Sequence, residues 1–430
     1  MATDRPGVSS AQPQNPAPAQ QANFQYTGPG SCAASACHGA VPARTDLRIP
    51  QNEYSVWITQ DRHSRAFEVL RNPVSQRMAR LLGIERADAA PKCLACHALA
   101  PPAAQRARTF SAEEGVSCES CHGPASQWLG PHTRADWSHE KSVQLGMNDT
   151  KDLVRRTEVC LSCHLGNAEK FVDHEMIAAG HPDLIFELDS FSAAMPRHWK
   201  EPVERDPWTG ARAWSTGMAV QLREHLERVS RRARGGPWPE YAELDCFACH
   251  HDLARADDSW RQDRGYPGRR AGVPPWNVAR YTVFRQVAGL VGADAGQRLD
   301  AEMTRLSGLM NQLAPNREEV AVAAARTSSL AGEMARRMAQ HNYDPETALR
   351  LMRAISSDAE RISGEGVRSA EQAVMALDSL FIATSRNTRL SNQAELRAAL
   401  NALYPHLENP ARYQPGRFAA DLRRVNSLLR

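Results

Sequence analysis

With 430 residues, the chain is long enough to form two domains and the linkers between them. Its composition, 42% hydrophobic and 23% charged, is ordinary for a soluble protein, and the absence of any run of 18 or more apolar residues excludes a membrane-spanning helix. The formal charge is only +3, so an extended cationic surface for nucleic acid is not expected.

The first 27 residues are dominated by Ala, Pro, Gln, Asn and Ser. This composition predicts a disordered tether, because it offers too few apolar side chains to pack. A region rich in cysteine and histidine follows, over residues 28–253, and its pattern carries the functional information.

Five cysteine pairs in this region are each followed directly by histidine. Four have two residues between the cysteines: Cys93 and Cys96 with His97, Cys118 and Cys121 with His122, Cys160 and Cys163 with His164, and Cys246 and Cys249 with His250. The first pair, Cys32 and Cys37 with His38, has four intervening residues. Together the five pairs use all ten cysteines.

The CxxCH spacing is typical of a haem c attachment site, where two thiols form thioethers with the haem vinyl groups and the histidine is the proximal iron ligand. Paired cysteines also bind zinc or form redox-active dithiols, but neither chemistry requires histidine directly after the second cysteine. The pattern therefore predicts five covalent haem c groups. Their ten propionates would take the formal charge from +3 to about −7.

Haem is attached to such sites outside the bacterial cytoplasm, so we expect a periplasmic or extracellular protein. Residues 1–24 contain no apolar signal segment, and the chain is expected to be a form whose signal peptide has been removed.

The attachment region is small for five haems, with about 44 residues for each between Cys32 and His250. We therefore expect the haems to stack on one another and to form much of the core themselves. Helices are predicted over residues 53–70, 75–82 and 218–233, and frequent Gly and Pro predict little regular structure elsewhere.

A linker rich in Asp, Arg, Gly and Pro is predicted over residues 254–275. From residue 276 to 430 cysteine is absent and apolar residues recur with helical spacing. Asp344 followed by Pro345 predicts a helix start. We predict six or seven helices in an antiparallel bundle. The predicted fold class is thus mainly α: a multihaem cytochrome c domain of low regular structure with stacked haems, followed by a C-terminal α-helical bundle.

Second axial ligands must come from histidines outside the motifs. Eight of these ten lie at or before His251, which places the candidates within the haem region. Local context favours His63, His132, His174, His181 and His198 as distal iron ligands. It favours His139, His225 and His251 less, and His341 and His406 are expected to be surface residues.

The chain resembles the cytochrome c-554 family of multihaem electron carriers over about residues 28–164. The resemblance lies in the order of the first four sites, in Trp57, His63 and Ala66, and in the motif at residues 115–124 with His132 after it. It implies closely stacked haem pairs, distal roles for His63 and His132, and a five-coordinate haem at His97. The widened first site, the fifth site and the added helical region depart from that family.

Two functions follow from these features. The first is electron transfer between redox partner proteins through mostly bis-histidine haems, with no catalytic residue. The alternative is an oxidoreductase acting on a small nitrogen or sulfur compound at one five-coordinate haem, for which His97 is the best candidate. Eight further histidines for five irons favour the carrier. The helical region could also dock the protein into a larger respiratory or extracellular assembly.

Overall fold

The computed structural model describes residues 24–47, 49–200, 206–250 and 273–429. These residues are mainly α-helical. They contain no extended strand, and their only β-bridges are isolated, between Tyr26 and Arg106 and between Leu244 and Trp276. The predicted mainly α fold is confirmed. Within this part of the chain, no helix is long and apolar enough to cross a lipid bilayer.

The described residues form two compact units. Unit 1 contains the residues up to Gln76, Arg86–Lys151 and Pro196–Lys200, and unit 2 contains Arg77–Glu85, Asp152–Met195 and the residues after Lys200. Unit 1 thus holds the first three attachment motifs and unit 2 holds the last two. Most of the predicted linker, residues 254–272, lies outside the described residues, so the boundaries predicted there stay predictions.

The α-helices before residue 200 are short, as expected where cofactors rather than side chains form much of the core. In chain order they are α1 (Glu53–Gln60), α2 (Pro73–Leu81), α3 (Pro91–His97), α4 (Cys118–His122), α5 (His139–Gln144), α6 (Leu153–His164), α7 (His174–Ala178) and α8 (Leu188–Ala194).

The helix predicted over residues 53–70 is interrupted at Asp61. There the backbone leaves the helical region, with φ −84° and ψ 127°, and the Asp61 side chain accepts a hydrogen bond from the backbone N–H of His63. An aspartate competes for backbone donors in this way and ends a helix. Two 3₁₀ turns, Arg62–Arg65 and Glu68–Arg71, replace the rest of the predicted helix.

The predicted tether is only partly described, because residues 1–23 lie outside the described ranges. Of its last four residues, Phe24 and Thr27 are buried, and the Tyr26 backbone exchanges hydrogen bonds with Gln105 and Ala107. These hydrogen bonds satisfy the backbone N–H and carbonyl groups of Tyr26. The composition of the segment could not have predicted this pairing.

The remaining α-helices belong to unit 2, and most of them are longer. They are α9 (Thr209–Arg234), α10 (Ala279–Thr282), α11 (Phe284–Ala288), α12 (Ala293–Met310), α13 (Arg317–Met338), α14 (Pro345–Ser357), α15 (Ala359–Gly364), α16 (Val367–Asn387), α17 (Gln393–Asn401) and α18 (Pro415–Leu428). Six of those after residue 276 have nine residues or more. α14 begins as predicted, with the Asp344 side chain accepting from the backbone N–H of Thr347.

The core of unit 2 is built on α9 and α13. Trp214, Met218 and Leu222 of α9 are buried, and alanines of α13 let the two helices approach closely. The Ser230 hydroxyl donates to the Ala321 carbonyl across this contact at 2.8 Å. The same hydrophobic cluster includes Leu161 of α6, so the helical region and the fourth attachment motif share one core.

Candidate haem attachment sites and axial histidines

Each regular attachment motif lies on a helical turn. α3 and α6 end at the motif histidine, α4 consists of the motif itself, and Cys246–Ala248 form a 3₁₀ turn. At the last of these the His250 backbone N–H donates to the Cys246 carbonyl at 2.8 Å. One helical turn therefore brings two thiols and an imidazole to the same side of the chain, which is the arrangement that a covalent haem needs.

The motif at Cys118 ends in a glycine with a required conformation. Gly123 has φ +81°, and a Cβ at this position would lie 2.5 Å from the Gly146 carbonyl oxygen. A side chain there would therefore clash and strain the backbone. Gly123 turns the chain sharply after His122, which ends the helical turn at the proximal histidine.

The widened first motif keeps the contact between its first cysteine and its histidine. The His38 backbone N–H donates to the Cys32 carbonyl at 3.2 Å, although two more residues separate them than in a regular motif. The backbone N–H groups of Cys37 and Gly39 both donate to the Ala34 carbonyl, at 2.8 and 3.0 Å. The extra residues thus form a closed loop, and the first motif fits haem attachment like the others.

The ten cysteines form no disulfide, and each is at least partly exposed. The thiols of Cys32 and Cys118 lie close enough to interact, and this interaction lowers the pKa of Cys32 and raises that of Cys118. The first thioether positions of two different motifs therefore lie side by side in unit 1. Within the described residues, no group of three or more His, Cys, Asp or Glu side chains is arranged to hold a bare metal ion.

Glu119, a spacer residue in the third motif, anchors the chain that leads to the first motif. It is only 2% exposed, and its carboxylate accepts from the backbone N–H groups of Thr27 at 2.9 Å, Gly28 at 2.7 Å and Ala125 at 2.7 Å. A buried carboxylate is tolerated when several donors surround it. Nothing in the sequence marked Glu119 as more than a spacer; the burial of its partners reveals the role.

Six of the described motif histidines and favoured distal candidates have an oxygen acceptor at Nδ1. The Nδ1 atoms and their partners are His38 with Glu53 at 2.9 Å, His63 with Asp61 at 2.9 Å, His97 with the Ala66 carbonyl at 2.9 Å, His132 with the Leu129 carbonyl at 2.6 Å, His181 with the Pro182 carbonyl at 2.8 Å, and His198 with the Pro196 carbonyl at 3.2 Å. These acceptors assign the hydrogen to Nδ1 and the lone pair to Nε2, the form in which metal-binding imidazoles are held.

Histidines that the sequence ranked lower have a different environment. His139 and His406 contact carboxylates through Nε2, at 3.0 and 2.7 Å. His225 is 2% exposed, and Trp276 covers its ring with the centroids 5.8 Å apart and the planes at 14°. The Nε2 atoms of His139 and His406 are thus engaged by carboxylates, whereas that of His225 is buried and makes no hydrogen bond among the described residues.

Two candidate distal histidines lie opposite motif histidines. The ring centroids of His38 and His132 are 6.2 Å apart with the planes at 7°, and those of His174 and His250 are 6.1 Å apart with the planes at 31°. Two imidazoles that bind one metal from opposite sides, with metal–nitrogen bonds of about 2 Å, have centroids about 6 Å apart. The residues present therefore fit two bis-histidine iron sites.

His122, the histidine of the third motif, has His198 as a candidate partner. Burial, followed by the charges of His198 and His38, lowers the pKa of His122 to about 4. A low pKa keeps the imidazole neutral, as a metal ligand must be. His63 and His181 remain candidates for the other irons, and the His164 ring packs against Phe186 and Phe191 at 5.3 Å.

A buried ion pair joins the two attachment motifs of unit 2. Arg228 of α9 lies 2.7 Å from the Glu243 carboxylate and donates to the Leu165 carbonyl at 2.7 Å. Leu165 directly follows the fourth motif, and Glu243 shortly precedes the fifth. His225 completes the cluster, with its Nδ1 3.3 Å from Glu243.

Unit 2 is expected to lose stability as the pH falls from about 6.5 towards about 2. Burial would raise the pKa of Glu243, but Arg228 and its neighbours lower it from 4.5 to about 2, and burial lowers the pKa of His225 from 6.5 to about 3. Within this interval the unfolded chain binds protons that the folded chain does not, so acid favours unfolding. Thermal unfolding followed by far-ultraviolet circular dichroism between pH 7 and pH 4 measures the effect.

The His225→Leu variant separates the two contributions. Only the histidine titrates between pH 6.5 and 5, so the variant should lose less stability than the native chain over that range. Equal unfolding temperatures of the native chain at pH 7 and pH 4 would contradict the expectation.

Comparison with known proteins adds one match. Residues 32–123 match the family described as cytochrome c554 and c-prime, a stretch of 92 of the 430 residues that contains the first three attachment motifs. Searches of curated proteins and of solved structures found no match.

The match over residues 32–123, together with the attachment motifs, supports a multihaem c-type cytochrome, a class of protein that holds haem c covalently. The resemblance to the cytochrome c-554 family is thereby confirmed over residues 32–123.

Proposed function

We propose that the protein carries electrons between redox partner proteins through five closely spaced haem c groups, most of them with two histidine ligands. The observation that carries the proposal is the pair of facing imidazoles, His38 with His132 and His174 with His250, each about 6 Å apart between centroids. Two histidines on one iron leave no open position for a substrate and favour electron transfer over catalysis.

Close spacing of the haems is supported by the thiols of Cys32 and Cys118. Because these thiols interact with each other, haems attached to the first and third motifs would have thioether edges near one another. Glu119 holds that arrangement, since it binds the backbone before Cys32 from within the third motif. When bound, the haems supply reversible one-electron chemistry; the chain fixes the distance between them.

Ligand basicity is also set by the chain. Glu53 accepts from Nδ1 of His38 and raises the pKa of that imidazole. A more basic imidazole is a stronger donor to ferric iron and lowers the haem potential. The contact with Glu53 is therefore expected to lower the potential of the first haem relative to the same haem without it.

One experiment tests electron transfer against the alternative, an oxidoreductase with one five-coordinate haem. Ferric optical and EPR spectra of the purified protein should show low-spin iron, with little change on adding cyanide or nitrite. A large high-spin signal that shifts with these ligands would instead favour the oxidoreductase, with the His97 haem as its first candidate. A periplasmic or extracellular location and redox partner proteins belong to the same proposal.

The helical region, residues 276–430, packs on the region that carries the fourth motif, which weakens the idea that it is a separate docking domain. Its helix α13 packs on α9, and both share a hydrophobic cluster with α6, which carries the fourth motif. Deleting residues 276–430 would therefore expose the core beneath the fourth and fifth motifs. Any docking in a larger assembly is better tested by charge changes on its exposed faces than by truncation.

A further inference from the structure

The fifth attachment motif lies outside the residues that match the cytochrome c554 family, so the family gives no ligand for its iron. The structure brings one histidine to it. His174, the first residue of α7, has its ring centroid 6.1 Å from that of His250. His250, Cys246 and Cys249 are exposed, so the motif has room for a macrocycle on this side of unit 2.

The position of His174 is fixed by the segment that leads into the motif. Glu240 Oε1 accepts from the backbone N–H of His174 at 3.0 Å and from that of Ala242 at 3.2 Å. Glu240 Oε2 lies 3.2 Å from Arg232 of α9, and both of these side chains are only 10% exposed. One carboxylate therefore ties α7, α9 and the approach to Cys246 together.

Two further contacts orient the ring. The Asp173 side chain accepts from the backbone N–H of Met176 at 2.8 Å and caps α7, which sets the direction of its first turn. Tyr241, next to Glu240, packs its ring edge-on against His174, with centroids 5.6 Å apart and planes at 73°. The side chain is thus held from both the α7 backbone and the fifth-motif segment.

We propose that His174 is the distal axial ligand of the iron attached at Cys246, Cys249 and His250, and that Glu240 is its positioning residue. This deepens the proposed function and rests on it, because it requires haem at the fifth motif. It makes the fifth haem a low-spin carrier and excludes it as a substrate site.

The His174→Ala variant tests the ligand. We expect all five haems to stay attached, by intact mass, while one ferric haem becomes high-spin in EPR, and added imidazole restores the low-spin signal. The matched control is His406→Ala, since His406 contacts Asp421 through Nε2, and it should leave the spectrum unchanged. An unchanged low-spin spectrum in His174→Ala would overturn the assignment.

A comparison of the Cys246→Ser, Cys249→Ser double variant with the triple variant that also carries His174→Ala shows which iron is affected. When Cys246→Ser and Cys249→Ser remove the fifth haem, adding His174→Ala should produce no further high-spin signal. A new high-spin signal in that background would assign His174 to another iron and overturn the proposal. The haem count of the native chain separates failure of the proposed function from failure of this ligand assignment. Fewer than five haems would count against the proposed function. Five haems with an unaffected His174→Ala spectrum would count only against His174 as the ligand.

Glu240 is tested by the same signal. Glu240→Ala should give a partial high-spin fraction that imidazole restores, with unchanged helical circular dichroism. Glu240→Gln keeps an acceptor oxygen and should remain close to the native spectrum. Low-spin iron throughout in Glu240→Ala would show that Glu240 does not position His174.

Discussion

Replacing His132 with methionine is expected to raise the potential of one haem by a few tenths of a volt and to leave every haem attached. The His132 ring lies 6.2 Å from that of His38, and its Nδ1 donates to the Leu129 carbonyl, so Nε2 is the nitrogen available to the first iron. A thioether stabilises ferrous iron relative to imidazole, and axial ligands set haem potentials over about 0.8 V.

A spectroelectrochemical titration of His132→Met measures this shift, and intact mass confirms the haem count. His139→Met is the matched control within unit 1, because His139 contacts Asp149 through Nε2 and should leave all potentials in place. A titration of His132→Met that superimposes on the native one would show that His132 is not an iron ligand.

Replacing Glu119 with alanine is expected to destabilise unit 1 by about 3–5 kcal/mol, because three buried backbone N–H groups, those of Thr27, Gly28 and Ala125, lose their acceptor and each costs about 1–3 kcal/mol before relaxation. Denaturant unfolding followed in the Soret region reports on it. The electronic coupling of the first and third haems should weaken as well.

Ser120→Ala is the control for this variant. Ser120 is the other spacer of the same motif, and its buried hydroxyl makes no hydrogen bond within the described residues. Its removal should change the free energy of unfolding by less than about 1 kcal/mol. If Glu119→Ala unfolded at the same denaturant concentration as Ser120→Ala, the anchoring role assigned to Glu119 would be wrong.

The sequence predicted the chemistry of the attachment motifs because that chemistry needs only local spacing. Two cysteines and a histidine within one helical turn are visible without knowledge of the fold. The start of α14 at Asp344 was equally local, and the structure confirms it. The sequence predicted a helix to residue 70, whereas α1 ends before Asp61. An aspartate within an apolar pattern ends a helix only when its side chain caps the next turn, and the sequence does not show this.

Long-range partners could not be predicted in the same way. Nothing local indicates that His174 lies opposite His250, 76 residues later, or that Glu119 binds the backbone at Thr27. The change of composition at residue 276 suggested a separate helical domain. In the structure α6, α9 and α13 share one hydrophobic core. Periodicity shows that a helix has an apolar face but does not show which other helix that face packs against.

Haem stoichiometry is the direct test of whether iron porphyrins are bound covalently at all five motifs. A pyridine haemochrome assay combined with intact mass under denaturing conditions should give five haem c groups per chain that do not dissociate. A colourless preparation, or a mass equal to that of the polypeptide alone, would show that the five motifs do not hold covalent haem.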